Sequence, residues 1–172
     1  MSASDEAYIK TATHVFVSRQ ATIDNPNQVQ LQGKSVLREG VSLMGSIRMG
    51  RYCYIGENTV LSSPMHQNFG VPLVVRGHVQ IGKHCVIEAA SIGSNVWIGD
   101  GCKIGKRCLI KDNCWLAPGT EIGDDTVIAP FSRVAGAPGK VVAELPPSAA
   151  TDLQELAQQA FQKFATNPVS SQ

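Results

Sequence analysis

A large aliphatic residue returns at every sixth position through the second half of the chain. The series is Ile92, Ile98, Ile104, Ile110, Leu116, Ile122, Ile128 and Val134. Two positions before each of them stands a small or β-branched residue, and the residue after it is usually glycine or alanine. A period of six fits neither an amphipathic helix nor one alternating strand. It predicts a parallel β-helix in which three hexapeptides close each triangular coil and the aliphatic side chains fill the prism.

The same period runs through the first half of the chain, with two interruptions. It covers Leu31, Leu37, Leu43, Met49, Ile55 and Leu61, and then Val75, Ile81 and Ile87. The period fails over residues 62–74, so we predict an inserted loop that leaves one corner of the prism, and loops of this length are often functional. From Ile87 to Ile92 the step is five residues, which a tightened corner or a bulge would absorb.

The two ends of the chain follow different patterns. Residues 1–10 are polar and predict an N-terminal arm, and residues 11–145 predict the β-helix. Within residues 148–166 the apolar positions take helical spacing, at Leu153, Leu156, Ala157, Ala160, Phe161 and Phe164. Because such a helix is marginal alone in water, we expect Phe161 and Phe164 to dock it on the prism. The expected fold is therefore all-β with one C-terminal α-helix.

Net charge, the length of the apolar runs and the cysteine positions limit the classes of function that the chain can have. The net charge of +1 gives no general attraction to nucleic acid or to an anionic membrane. No apolar run approaches the roughly 18 residues that would cross a bilayer, and the polar start of the chain is unlike a secretory signal. All five cysteines fall on the small inward position of the repeat. An odd number of core cysteines indicates reduced thiols, and we expect a cytoplasmic protein.

Two sets of residues in the sequence are candidate metal ligands. Proteins similar to γ-class carbonic anhydrases share this prism and bind zinc through three histidines. Here His78 and His84 are one hexapeptide apart and outward on neighbouring faces, so they would not converge on one ion as zinc ligands must. The inward thiols of Cys102, Cys108 and Cys114 occupy slots that hold valine or threonine elsewhere in the repeat, which indicates core fillers. We predict no metal and no cofactor.

An acyltransferase is the alternative function. The stretches VWIG at 96–99, PGT at 118–120 and VAGAPGK at 134–140 resemble the closing coils of hexapeptide acetyltransferases. That resemblance implies a homotrimer that binds acetyl-CoA between its prisms and uses a histidine as general base. His66, in the predicted loop, is placed like such a base, but no carboxylate to orient it is evident.

Several stretches carry a resemblance that extends beyond the repeat, and SRQ at 18–20 and GKS at 33–35 are specific because the repeat does not demand them. The stretches include YIKTA at 8–12, VSRQ at 17–20, LQGKS at 31–35, GRYC at 50–53, APFS at 129–132 and ELPP at 144–147. Through them, residues 8–165 resemble the dynactin subunit 5 family. The chain departs from that family at Met44-Gly45-Ser46, where Arg-Gly-Asp is usual, and it looks shorter by about one hexapeptide between Glu88 and Ala89.

The resemblance implies a left-handed prism and a non-catalytic structural subunit of the dynactin pointed-end complex. The expected partners are a second β-helix subunit, a large zinc-binding subunit and an actin-related protein. The complex would help dynein adaptors and cargo, including endosomes, engage the motor on microtubules. For this chain we predict that the loop binds a partner through Met65, His66, Phe69 and Val71, with Phe69 as the aromatic anchor.

Overall fold

The computed structural model describes residues 7–66 and 69–166, without the side chains of residues 65, 66, 69 and 70. Within these residues lie 23 short strands, a 3₁₀ turn at Pro26–Gln28 and the α-helix α1 at Ala149–Thr166. The strands are β1 Tyr8–Lys10, β2 Phe16–Ser18, β3 Thr22–Ile23, β4 Val29–Leu31, β5 Val36–Leu37, β6 Ser42–Met44, β7 Ile47–Met49, β8 Tyr54–Ile55, β9 Val60–Ser62, β10 Met65–His66, β11 Phe69–Gly70, β12 Leu73–Val75, β13 Val79–Ile81, β14 Val86–Ile87, β15 Ser91–Ile92, β16 Val96–Ile98, β17 Lys103–Ile104, β18 Leu109–Ile110, β19 Trp115–Leu116, β20 Glu121–Ile122, β21 Val127–Ile128, β22 Ser132–Ala135 and β23 Lys140–Glu144.

The strands stack into three faces of a triangular prism. Face A has the order β1-β2-β5-β8-β13-β16-β19-β22-β23, face B runs β3-β6-β9-β14-β17-β20, and face C runs β4-β7-β12-β15-β18-β21. Stacked strands pair in parallel, except that face A ends in the antiparallel pairs β1–β2 and β22–β23. The registers align the predicted aliphatic residues, as in Ile98 opposite Leu116. The predicted left-handed parallel β-helix with a C-terminal helix is confirmed.

The inward position two residues before each aliphatic residue often holds a small side chain that can donate a hydrogen bond. The hydroxyl of Thr59 donates a hydrogen bond to the carbonyl of Gly82, 2.7 Å away in the next coil. The hydroxyl of Ser35 reaches Gly50 in the same way at 3.3 Å. A serine, threonine or cysteine fits here because a compact donor satisfies a corner carbonyl that would otherwise be costly to bury.

The corners of the prism carry residues in the left-handed backbone region. One corner, between faces C and A, has φ values of 49–62° at Lys34, Tyr52, His78, Asn95, Asn113 and Phe131. Between Ile87 and Ile92, where the period drops to five, no residue has a positive φ. The missing residue is therefore the left-handed one, and the corner is tightened while both flanking strands keep their parallel partners.

The interruption at residues 62–74 contains a β-hairpin. Strands β10 and β11 pair antiparallel, with Met65 opposite Gly70 and His66 opposite Phe69. The backbone amide of Val71 donates to the carbonyl of Pro64 at 3.2 Å, which closes the base of the hairpin. The hairpin leaves the corner between β9 on face B and β12 on face C.

Helix α1 packs on face A through aromatic residues. The fully buried Phe164 lies 5.0 Å from Tyr8 and 5.4 Å from Phe16, measured between ring centroids. Phe161 meets Tyr52 edge-on at 5.7 Å. Leu156 is the exception in the predicted apolar stripe, because its side chain is 48% exposed. No helix among residues 7–66 and 69–166 is long and apolar enough to cross a membrane.

Candidate interaction surfaces

A buried arginine lies between helix α1 and the prism. Arg38 is only 4% exposed. Its Nε donates to the hydroxyl of Tyr8 at 2.9 Å and to Oε2 of Glu39 at 3.1 Å. Its terminal nitrogen donates to the hydroxyl of Tyr54 and lies 3.5 Å from Oε1 of Glu57. Two carboxylates thus compensate the cost of burying this charge.

The electrostatics of this cluster indicate a structural role for its residues, not a catalytic one. Burial raises the pKa of Tyr8 well above its usual range, so its phenol stays protonated. Burial alone would also raise the pKa of Glu39, but the hydrogen bonds from Tyr8 and Arg38 hold it below its usual range. The guanidinium lies 5.4 Å from the ring centroid of Phe164, a favourable cation–π contact. The cluster therefore ties strand β1 and helix α1 to the prism.

The position of Arg38 in the repeat is itself unusual, and the sequence prediction did not include this residue. Arg38 follows the inward Leu37, at the position where the repeat usually has glycine or alanine. A long cation at that place needs room beyond the prism wall and a partner for its charge. The room lies beneath the docked helix and strand β1, whose locations the six-residue period does not determine, and the charge partners are Glu39 and Glu57 of the prism.

A tryptophan pair forms a second feature of face A. Trp97 and Trp115 stack with centroids 5.0 Å apart and planes 6° from parallel, and both are half-buried. The guanidinium of Arg133 lies 4.7 Å from the Trp115 ring. A cavity of about 230 Å³ adjoins Trp97 and extends to Arg38. This surface thus combines tryptophan and arginine, residue types that are enriched among the residues that dominate binding energy at interfaces.

The structure describes the side chains of His78 and His84, the two histidines considered as zinc ligands. His78 stacks on Tyr52 with centroids 5.0 Å apart, and its Nε2 lies 3.3 Å from Nε2 of Gln158 on helix α1. Burial lowers the pKa of His78, which is half-buried, whereas His84 is exposed. Within residues 7–66 and 69–166, no three histidine, cysteine or acidic side chains are grouped to hold an ion.

The cysteines are core residues with hydrogen-bonding thiols. The sulfur atoms of Cys102, Cys108 and Cys114 each lie 3.0–3.2 Å from a carbonyl of the next coil, so each thiol donates along the prism axis. Burial raises the pKa of the Cys53 thiol to about 12. Because that thiol stays protonated, Cys53 is a poor metal ligand and a poor nucleophile.

The predicted partner-binding residues belong to the hairpin and its base. Met65, His66 and Phe69 lie in its two strands, and their side chains lie outside the described part of the structure. Val71 follows β11 and is 42% exposed. Their role in binding stays a prediction.

The prism is shared with solved hexapeptide transferases. A hexapeptide transferase family protein from Anaplasma phagocytophilum superimposes with a TM-score of 0.62 at 19% identity, over 95% of this chain and 99% of that chain. The acetyltransferase domain of PglB from Neisseria gonorrhoeae superimposes with a TM-score of 0.63 at 17% identity, over 76% of this chain and 58% of that chain. At these identities the likeness shows the fold alone.

Similarity in sequence is more informative about the family of the chain than the shared fold is. Dynactin subunit 5 from Dictyostelium discoideum is 37% identical over 95 residues, which are 51% of this chain and 48% of that protein. The match thus spans about half the length of that relative. The model of the dynactin subunit 5 family matches residues 2–169, nearly the whole sequence. The chain belongs to the dynactin subunit 5 family.

Proposed function

We propose that this chain is a non-catalytic structural subunit of the dynactin pointed-end complex in the cytoplasm. The family match over residues 2–169 carries the proposal. Its partners would be a second β-helix subunit, a large zinc-binding subunit and an actin-related protein. Through them it would support the attachment of dynein adaptors and cargo, including endosomes, on microtubules.

The loop at residues 64–72, which contains the hairpin, is the element we assign to partner binding. The repeat does not need it, since faces B and C continue on either side with their strands paired in parallel. A loop on a rigid scaffold is a common place for recognition residues. The exposed Val71 at its base supports a contact surface formed with Met65, His66 and Phe69.

Phe69→Ala is expected to weaken assembly with the three pointed-end partners at least tenfold, because a buried aromatic anchor contributes about 2 kcal/mol or more to an interface. The measurement is co-purification of the four co-expressed subunits, followed by titration of the purified chain into the other three. The midpoint of urea unfolding of the isolated chain should be unchanged.

The matched control is Leu156→Ala, which removes another large side chain from the exposed side of helix α1. Assembly should be unaffected by that change. Equal assembly of the Phe69→Ala variant and the unaltered chain would remove the hairpin as a binding element.

The solution mass separates this proposal from the acyltransferase alternative. Light scattering at micromolar concentration is expected to give a monomer of 18.4 kDa, because the proposed partners are other chains. Acyltransferase sites of this fold are expected between the prisms of a trimer. A stable particle of three times 18.4 kDa that binds acetyl-CoA, and loses activity on His66→Ala, would contradict the proposal.

A further inference from the structure

Face C carries a groove lined by cations, which we call the basic groove. It consists of two adjoining cavities of about 320 and 380 Å³ that share Arg76 and Ser94. Arg48 lines the first cavity and Lys111 the second, and all three cationic side chains are exposed. The groove thus follows face C along the prism axis.

The cations of the basic groove differ from other cations of the prism in their ion pairing. Elsewhere on the prism, Lys83, Lys103 and Arg107 each lie within 3.8 Å of a carboxylate. Across residues 7–66 and 69–166, neither the two arginines nor the lysine of the groove forms an ion pair.

Asp112, the one acid among the described residues that line the groove, is engaged with the backbone. Oδ1 of Asp112 accepts the amide hydrogen of Ser94 at 2.8 Å. Since the whole chain has a net charge of only +1, the excess of cations in the groove is local.

We propose that the basic groove binds an acidic, extended segment of a partner protein. Arg48 lies on β7 and Lys111 directly follows β18, three strand spacings away, which is about 14 Å. An extended chain rises about 3.3 Å per residue, so a segment of roughly five residues with two or three carboxylates would reach every cation. This inference does not depend on which assembly the chain joins.

The lining of the groove favours a peptide over a lipid surface. Gln30 and Gln32 border the first cavity, and Ser91 borders the second. Amides and hydroxyls of this kind can pair with the backbone of an extended peptide. A flat anionic membrane would instead meet corner cations such as the exposed Arg51, which lines neither cavity.

The test uses the full chain and a fluorescein-labelled peptide of alternating glutamate and serine, twelve residues long. Fluorescence anisotropy at about 100 mM salt, where exposed charges are screened beyond about 10 Å, should show saturable binding. A peptide with glutamine in place of glutamate should not bind. Arg48→Gln with Arg76→Gln should weaken binding roughly tenfold, because each exposed ion pair contributes only modestly, and Lys111→Gln alone about threefold.

The matched control is Lys106→Gln with Lys140→Gln, which removes the same charge from exposed positions outside the groove. Binding within twofold of the unaltered chain supports the assignment. Equal losses in the two double variants would mean nonspecific attraction and would overturn it. It is equally overturned if the acidic and neutral peptides bind alike, or if phosphatidylserine vesicles need the two arginines and the peptide does not.

Discussion

Gly56→Ala is expected to destabilise the chain by at least about 3 kcal/mol, at the upper end of overpacking costs. A Cβ atom at Gly56 would lie 2.6 Å from the carbonyl carbon and 2.7 Å from the oxygen of Gly82, and 2.9 Å from the nitrogen of Lys83. All three atoms are backbone atoms of the adjacent coil, so no side chain can rotate away. Relief would require the two coils to separate and their hydrogen bonds to lengthen. The free energy of unfolding in urea, followed by circular dichroism, measures the loss.

The chain supplies its own control at the end of the stack. Gly123 follows Ile122 just as Gly56 follows Ile55, but a Cβ atom there would have no atom within 4 Å. Gly123→Ala should be neutral or stabilise the fold by about 0.4–1 kcal/mol, because alanine restricts the unfolded chain. Equal losses for the two variants would show that backbone propensity, and not contact between coils, selects glycine at this position.

The interior of the prism was predictable because each position depends on one spacing. A residue six places on lies on the next face, and a residue about eighteen places on lies in the next coil, so Ile104 meets Ile122. The stacked Trp97 and Trp115 are also eighteen apart, so the sequence contained that contact too. In such a fold, the number of residues between two positions determines whether they lie side by side. A local sequence pattern therefore predicts long-range contacts here.

The features on the outside of the prism were less predictable, because they depend on where separate elements of the chain pack. The apolar stripe predicted a docked helix, but nothing in it selects face A or places Gln158 beside His78. The five-residue step indicated a tightened corner, and only the backbone shows that the left-handed residue is the one omitted. Likewise the failed period marked an insertion, whereas the pairing of His66 with Phe69 needed coordinates.

Phe164→Ala is expected to cost about 3–5 kcal/mol, the usual range for deleting a fully buried aromatic side chain. Its ring fills the space between Tyr8, Phe16 and Tyr54, and it covers the guanidinium of Arg38. Removing it opens a cavity and lets water reach a charge whose burial two carboxylates compensate. Urea unfolding measures the loss in free energy, and the rate of trypsin cleavage after the exposed Lys163 reports the helix itself.

The two readouts distinguish how the helix and the prism are coupled. If they unfold together, the urea midpoint falls and cleavage after Lys163 accelerates in proportion. If the helix detaches first, the loss cannot exceed its docking free energy, so cleavage accelerates strongly while the prism keeps its midpoint. Leu156→Ala, on the exposed side of the same helix, should change either quantity by no more than about 0.5 kcal/mol. A Phe164→Ala variant as resistant as that control would contradict the docking, since Phe164 contacts both Tyr8 and the guanidinium of Arg38.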